Sequence, residues 1–190
     1  FDTRWPKEVL DLIKTLDHRA AAASGVRIGT SGPEGYSSET IVGPKDWAVV
    51  PSPIPGQGFR IDWCLGNERA AIDATWLCAS VRPRQEGDEH SWPRPVDWLF
   101  EESFRAYAGY SIEAAAGADG TQTLTLRHPR TPKNSVAVVV DPRRGVVLEV
   151  RFTVDGKVQG TTLFEDFVEV AGAFWPRKRS HRSVGGGAED

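Results

Sequence analysis

The chain has 190 residues, 39% hydrophobic and 26% charged, enough to bury a core of its own; it reads as one domain over residues 1–183 and a Gly-rich tail or linker at 184–190. Its 23 basic and 26 acidic residues sum to −3, a field too weak to argue for nucleic acid as a partner. The longest purely apolar run, 136–140, is five residues, against the roughly 18 that a spanning helix needs, so no membrane-spanning segment is expected.

The first element is a helix, expected over residues 6–22, because Val9, Leu12, Ile13 and Leu16 recur at helical spacing behind Pro6 and Glu8. Residues 25–58 are rich in Gly, Pro and Ser, with short apolar pieces at 26–28, 41–42 and 47–50 that read as strands joined by turns. Two apolar/polar alternations then flank Gly66-Asn67-Glu68-Arg69 in the manner of an antiparallel hairpin. Centring that turn between Asn67 and Glu68 sets Phe59 opposite Trp76, Ile61 opposite Ala74 and Trp63 opposite Ile72.

A charged linker at 82–95 leads to a second, shorter helix, where Val96, Leu99, Phe100 and Phe104 again show the helical period. From Tyr110 onward the pattern is a β meander, with strands at 110–115, 121–128, 135–140 and 146–154. Asp155-Gly156 has the composition of a type I′ turn, whose two-residue register sets Leu148 opposite Leu163 and Val150 opposite Thr161. A last pair of strands, 168–175 and 177–182, meets at Ala171-Gly172. Consecutive strands with short connections make the sheet antiparallel, and the fold class is α+β, mainly β: one large sheet curled around a long N-terminal helix and a short one.

Chemistry-bearing motifs are sparse. Cys64 and Cys78 fall on opposite faces of the hairpin, about seven residues and on the order of 20 Å apart, which argues against a disulfide. His18, His90, His128 and His181 are scattered singly, and the acidic loop Glu86-Gly87-Asp88-Glu89-His90 lacks the ligand spacing of a calcium loop, so no metal is expected. Gly29-Thr30-Ser31-Gly32 is not a nucleophile elbow, and Gly56-Gln57-Gly58 precedes a strand where a dinucleotide fingerprint must follow one. No cofactor and no enzymatic activity are expected. What rises above background is aromatic loading, seven Trp and eight Phe, with Phe59, Trp63, Trp76, Trp98, Phe100 and Phe104 gathered on the hairpin and second helix. A basic run, Arg177-Lys178-Arg179-Ser180-His181-Arg182, marks the final strand and reads as a charged, solvated edge.

Two segments resemble the outer-membrane lipoprotein-sorting family, the LolA/LolB-like carriers. Val138-Val139-Val140-Asp141-Pro142-Arg143-Arg144-Gly145-Val146-Val147 is similar to that family's strand, Asp-Pro turn, Gly, strand step. Phe164-Glu165-Asp166-Phe167-Val168-Glu169-Val170-Ala171-Gly172-Ala173-Phe174-Trp175-Pro176 resembles its closing segment. The resemblance implies a strongly curved antiparallel half-barrel, with helices covering its concave face, around an apolar cavity that in the carriers accepts acyl chains. It implies a periplasmic or otherwise extracytoplasmic location, and the same fold also serves as a module inside larger envelope proteins. The chain opens on Phe1 and has no Met, so neighbouring domains of a longer polypeptide are expected. The expected ligand is a lipid or lipoprotein acyl chain, and the candidate contacts are Phe59, Ile61, Trp63, Ile72, Trp76, Leu148, Val150 and Phe152, apolar side chains on facing strands.

Overall fold

A computed structural model describes residues 4–18, 25–31, 37–43, 46–51, 59–74, 76–85 and 101–184. The chain divides into two compact units, one of residues 1–18 with 98–190 and one of residues 19–97. Each carries a six-stranded antiparallel sheet. The expected single curled sheet is thus replaced, among the described residues, by two ladders. Among the described residues, the strands of one ladder end at Pro83 and those of the other begin at Ser111.

In the first unit, helix α1 (Lys7–Thr15) lies with strands β7 (Ser111–Ala116), β8 (Gln122–Arg127), β9 (Ser135–Asp141), β10 (Val146–Val154), β11 (Lys157–Val170) and β12 (Ala173–Ser183), hydrogen-bonded in chain order. The apolar stripe of α1, Val9, Leu12, Ile13 and Leu16, is buried in one cluster with Ile112, Leu124, Leu126, Val136, Val138, Val140 and Val150. Leu124, Val138 and Val150 stand directly opposite one another across β8, β9 and β10, so one row of the sheet meets the helix. Each such side chain contributes about 1.5–3 kcal/mol on burial. The other face is polar and laced by cross-strand ion pairs, Glu113 with Arg127 at 3.8 Å and Glu165 with Lys178 at 3.2 Å.

α1 is shorter than its periodicity suggests. Its last turn tightens, with the N–H of Leu16 bonding to Ile13 and that of Asp17 to Lys14. His18, 3% exposed, then tucks in with its ring nitrogens 2.9 Å and 2.8 Å from the carbonyl oxygens of Leu16 and Phe174. Residues 19–22 of the expected helix lie outside the described residues. The second expected helix is described only from Glu101, where Glu101–Tyr107 forms a 3-10 helix that buries Phe104 completely; Trp98 and Phe100 lie outside the described residues.

The hairpin turns follow the sequence closely. Asp155 and Gly156 take φ of 50° and 76°, and Ala171 and Gly172 take 53° and 80°, the positive values that a type I′ turn needs at both positions. The expected β10–β11 register is one residue off beyond Phe152. A bulge there leaves Gln159 unpaired, so Glu149, not Leu148, faces Leu163, and Val150 faces Thr162.

In the second unit, β1 (Val26–Ser31), β2 (Ser37–Val42), β3 (Trp47–Pro51), β4 (Arg60–Leu65), β5 (Glu68–Asp73) and β6 (Cys78–Pro83) also pair in chain order. The β4–β5 turn is Gly66-Asn67, because Gly66 supplies φ of 54° at the first turn position. Ile61 therefore faces Ile72 and Trp63 faces Ala70, two residues from the expected register. A two-residue slip preserves the side-chain faces. Arg84 fastens this corner: Nη1 donates to Asp46 Oδ1 at 2.8 Å and to the Gly66 carbonyl at 3.1 Å, and Gly66 N–H donates to the same carboxylate.

Candidate functional site

The pairing of β1–β6 sorts its side chains onto two faces with different exposure. On one face Ile41, Ala48, Trp63, Ala70 and Val81 stand opposite one another in turn across β2 to β6, a continuous apolar row. Beside it Ile61 pairs with Ile72, and Val50 and Leu65 lie on the same side by strand alternation. Ile41, Val50, Leu65, Ile72 and Val81 are all exposed, at 39%, 42%, 49%, 40% and 63%. Apolar residues scattered singly on a surface need no explanation, but a contiguous row does. This open face holds Ile61, Trp63 and Ile72 of the expected contacts, with Phe59 in line just before β4.

The opposite face is closed. Val42, Trp47 and Cys64 are buried there, with Ser38 and Thr40, and the Arg69 guanidinium lies 5.8 Å from the centroid of the Trp47 ring. Toward the far end of the same side, Arg60, Asp73 and Cys78 pair across β4, β5 and β6. Arg60 grips the Asp62 carboxylate through Nε and Nη2; that hydrogen bond, then the charge of Asp62, raises the guanidinium above its ordinary value. Cys64 is buried and Cys78 exposed, and neither is in a disulfide; the two share this face instead of lying on opposite faces as expected, because the chain reverses between Asp73 and Cys78, but they stand across the ladder from Arg69 and Asp73 and not from each other.

The remaining expected contacts are elsewhere. Trp76 sits at the β5–β6 turn, 78% exposed, followed by Leu77 at 92% with φ of 48°. The Trp76 N–H donates to Asp73 Oδ1 at 3.2 Å. Leu148, Val150 and Phe152 belong to β10 in the other unit, where Val150 is completely buried in the cluster with α1 and Phe152 packs against it. The structure thus groups Phe59, Ile61, Trp63 and Ile72 and places Val150 and Phe152 in a filled core. Ile41, Val50, Leu65 and Val81, which complete the open row, were not singled out from the sequence; their signal is strand alternation in segments too short for a period to stand out.

A further concavity, about 440 Å³, opens in the first unit between Arg4, Trp5 and Pro6 and the segment Tyr110, Ser111 and Ile112. The Trp5 indole N–H there donates to the Tyr110 carbonyl at 2.8 Å, which fixes one wall. Among the described residues, no three His, Cys, Asp or Glu side chains come together in a way that could hold a metal ion. No helix is long and apolar enough to cross a membrane, again among the described residues.

No protein-family model and no curated protein matches the chain by sequence. Solved structures do match. A LolA superfamily protein from Nitrosomonas europaea superposes with a TM-score of 0.53 at 13% identity, over 92% of this chain and 85% of that one. An outer-membrane lipoprotein-sorting protein domain from Vibrio parahaemolyticus gives 0.52 at 9% identity, over 93% and 84%. Identity this low carries the fold and no individual site residue. The chain has the fold of the LolA superfamily, the same one that its Asp-Pro-Arg-Arg-Gly turn and closing strand pair resemble.

Proposed function

We propose that the chain is a non-enzymatic, carrier-like module of the bacterial cell envelope that binds an apolar ligand, a lipid or the acyl part of a lipidated protein. The single observation that carries this reading is the superposition on LolA-superfamily and lipoprotein-sorting structures over more than nine-tenths of the chain. The open apolar row supports it, since an exposed sheet face of this kind calls for a partner. In this reading residues 1–183 act as one carrier-like domain with 184–190 as a tail, and the location is periplasmic or otherwise extracytoplasmic. Phe59, Ile61, Trp63 and Ile72 are the proposed contacts; Leu148, Val150 and Phe152 belong to the other unit, where Val150 is buried in the core.

The test is displacement of an apolar fluorescent probe by phospholipid or by a synthetic acylated peptide. Ile72→Asp and Trp63→Ala should each weaken probe binding by about tenfold, the effect of placing charge on, or removing an aromatic from, a buried contact. A wild-type chain that takes up no probe overturns the reading. A second reading, a protein-interaction domain of a larger envelope protein with no small ligand, is favoured by the exposed pair Trp76-Leu77. Under it, Trp76→Ser with Leu77→Ser abolishes association with neighbouring envelope domains in a pull-down from the full-length protein, and probe binding is absent from the start.

A further inference from the structure

The sheet of the first unit ends on β12, so one side of that strand pairs with β11 and the other meets no strand among the described residues. Which of its main-chain groups point outward follows from one bond. The Val184 N–H donates to the Gln159 carbonyl at 2.9 Å, which extends the β11–β12 register by one pair and makes that pair a hydrogen-bonded one. Bonding alternates along an antiparallel ladder, so Arg182, Ser180 and Lys178 turn their N–H and C=O groups to β11, while Ser183, His181 and Arg179 turn theirs outward. Pro176 has no N–H to offer an added strand, which leaves 177–183 as the edge able to receive one.

The side chains leave this edge clear. The His181 ring folds back over β11, with Nδ1 3.0 Å from Thr162 Oγ1 and Cε1 3.0 Å from where a Cβ on Gly160 would stand. Arg177 and Lys178 also lean inward, onto Asp166 at 2.7 Å and Glu165 at 3.2 Å. Arg179 and Arg182 are exposed, and across the ladder from them stand Phe164 and Thr161, neither of them acidic. Charge then selects the occupant. A second copy of β12 is a poor one, because antiparallel pairing about Ser180 sets Lys178 directly against Arg182 on both sides of the axis. We propose that residues 177–183 of β12 bind an extended acidic segment of a partner protein by strand addition, main chain to main chain. Arg179 and Arg182 are three positions apart and so project from opposite faces, which calls for acids three residues apart in the segment, one against each. A guanidinium has five N–H donors, so a carboxylate can join whatever each arginine already bonds. The basic run thus does more than shield an edge: it bars a like strand and admits an acidic one. This surface uses none of the open apolar row and stands independently of the carrier reading.

The test titrates the full chain with the peptide acetyl-Thr-Glu-Val-Thr-Glu-Val-Thr-amide and follows solvent exchange of backbone amides by NMR. At a peptide concentration ten times its Kd, the outward amides of His181 and Ser183 should exchange about tenfold more slowly. Replacing both glutamates of the peptide by lysine should abolish binding. Arg182→Glu should weaken the original peptide by about three- to tenfold without lowering the melting temperature, since the side chain is exposed. N-methylation separates strand pairing from simple charge contact: methyl groups on alternate peptide residues should abolish binding in one phase and leave it within about twofold in the other. Equal binding by the two methylated series, or a saturated complex in which the His181 and Ser183 amides gain no protection, overturns the inference. So does a glutamate peptide that fails to bind at about millimolar concentration. Failure of the wild type to take up an apolar probe overturns the carrier reading and leaves this one untouched.

Discussion

Gly145 is where the Asp141-to-Gly145 turn meets the end of α1, and replacing it by alanine tests how tightly the two are joined. Its φ is +63°, and a Cβ built there would stand 2.4 Å from the Thr15 carbonyl oxygen. Ordinary contact needs more than about 3 Å, so the helix end must retreat by the better part of an ångström. Ile13 and Leu16 flank Thr15 with no exposure at all, so the retreat is paid in core packing. Overpacking of this kind costs about 1–3 kcal/mol, and the left-handed backbone about 1–2 kcal/mol more for a residue with a Cβ. Gly145→Ala should therefore destabilise by about 2–5 kcal/mol and lower the melting temperature by about 5–15 °C. Gly156→Ala is the control: its φ is +76°, but nothing lies within 4 Å of the added Cβ, so only the backbone term of about 1 kcal/mol applies. Urea unfolding of both variants, followed by far-UV circular dichroism, measures the difference. Equal midpoints for the two would refute the contact between Gly145 and the helix end.

Three further expectations concern polar groups. Burial works to raise the Asp141 carboxyl, but the Arg144 side chain and the N–H groups of Arg143 and Arg144 outweigh it and hold the group below its ordinary value. Its contribution is then present above the unfolded value near about pH 4 and is lost as pH falls through the folded one; Asp141→Asn should cost about 1 kcal/mol at neutral pH and flatten the acid limb of a stability–pH curve. His18→Ala should cost about 2–3 kcal/mol in denaturant titration, because it leaves the Leu16 and Phe174 carbonyls without their ring partner and opens a hole against Trp175, whose ring centroid lies 5.1 Å from that of His18. Arg84→Met should cost about 1–2 kcal/mol, and a double-mutant cycle with Asp46→Ala should give a coupling of about 0.5–1 kcal/mol, read from hydrogen exchange of the Gly66 and Arg84 amides.

The candidate site was legible in part. The shared face of Ile61, Trp63 and Ile72 follows from alternation alone and survives the two-residue slip in register, since side-chain period and slip are both even. The slip itself turns on which residue takes positive φ: Gly66 takes it, so the turn closes on Gly66-Asn67 and not between Asn67 and Glu68. Val150 looked like a cavity residue because it is apolar and well placed on β10; only the packing of α1 shows that its face is already filled.

What the amino-acid order determined alone is local: strand alternation, the stripe of Val9, Leu12, Ile13 and Leu16 on α1, and the glycines at Gly156 and Gly172 that only a positive φ explains. These depend on residues within a few positions of one another. The division into two ladders, the one-residue offset after the Phe152 bulge and the early end of α1 were decided by the tertiary structure. Each of them depends on contacts between residues far apart in the chain, such as Gly145 against Thr15 and His18 against Phe174, whose energies no local pattern contains.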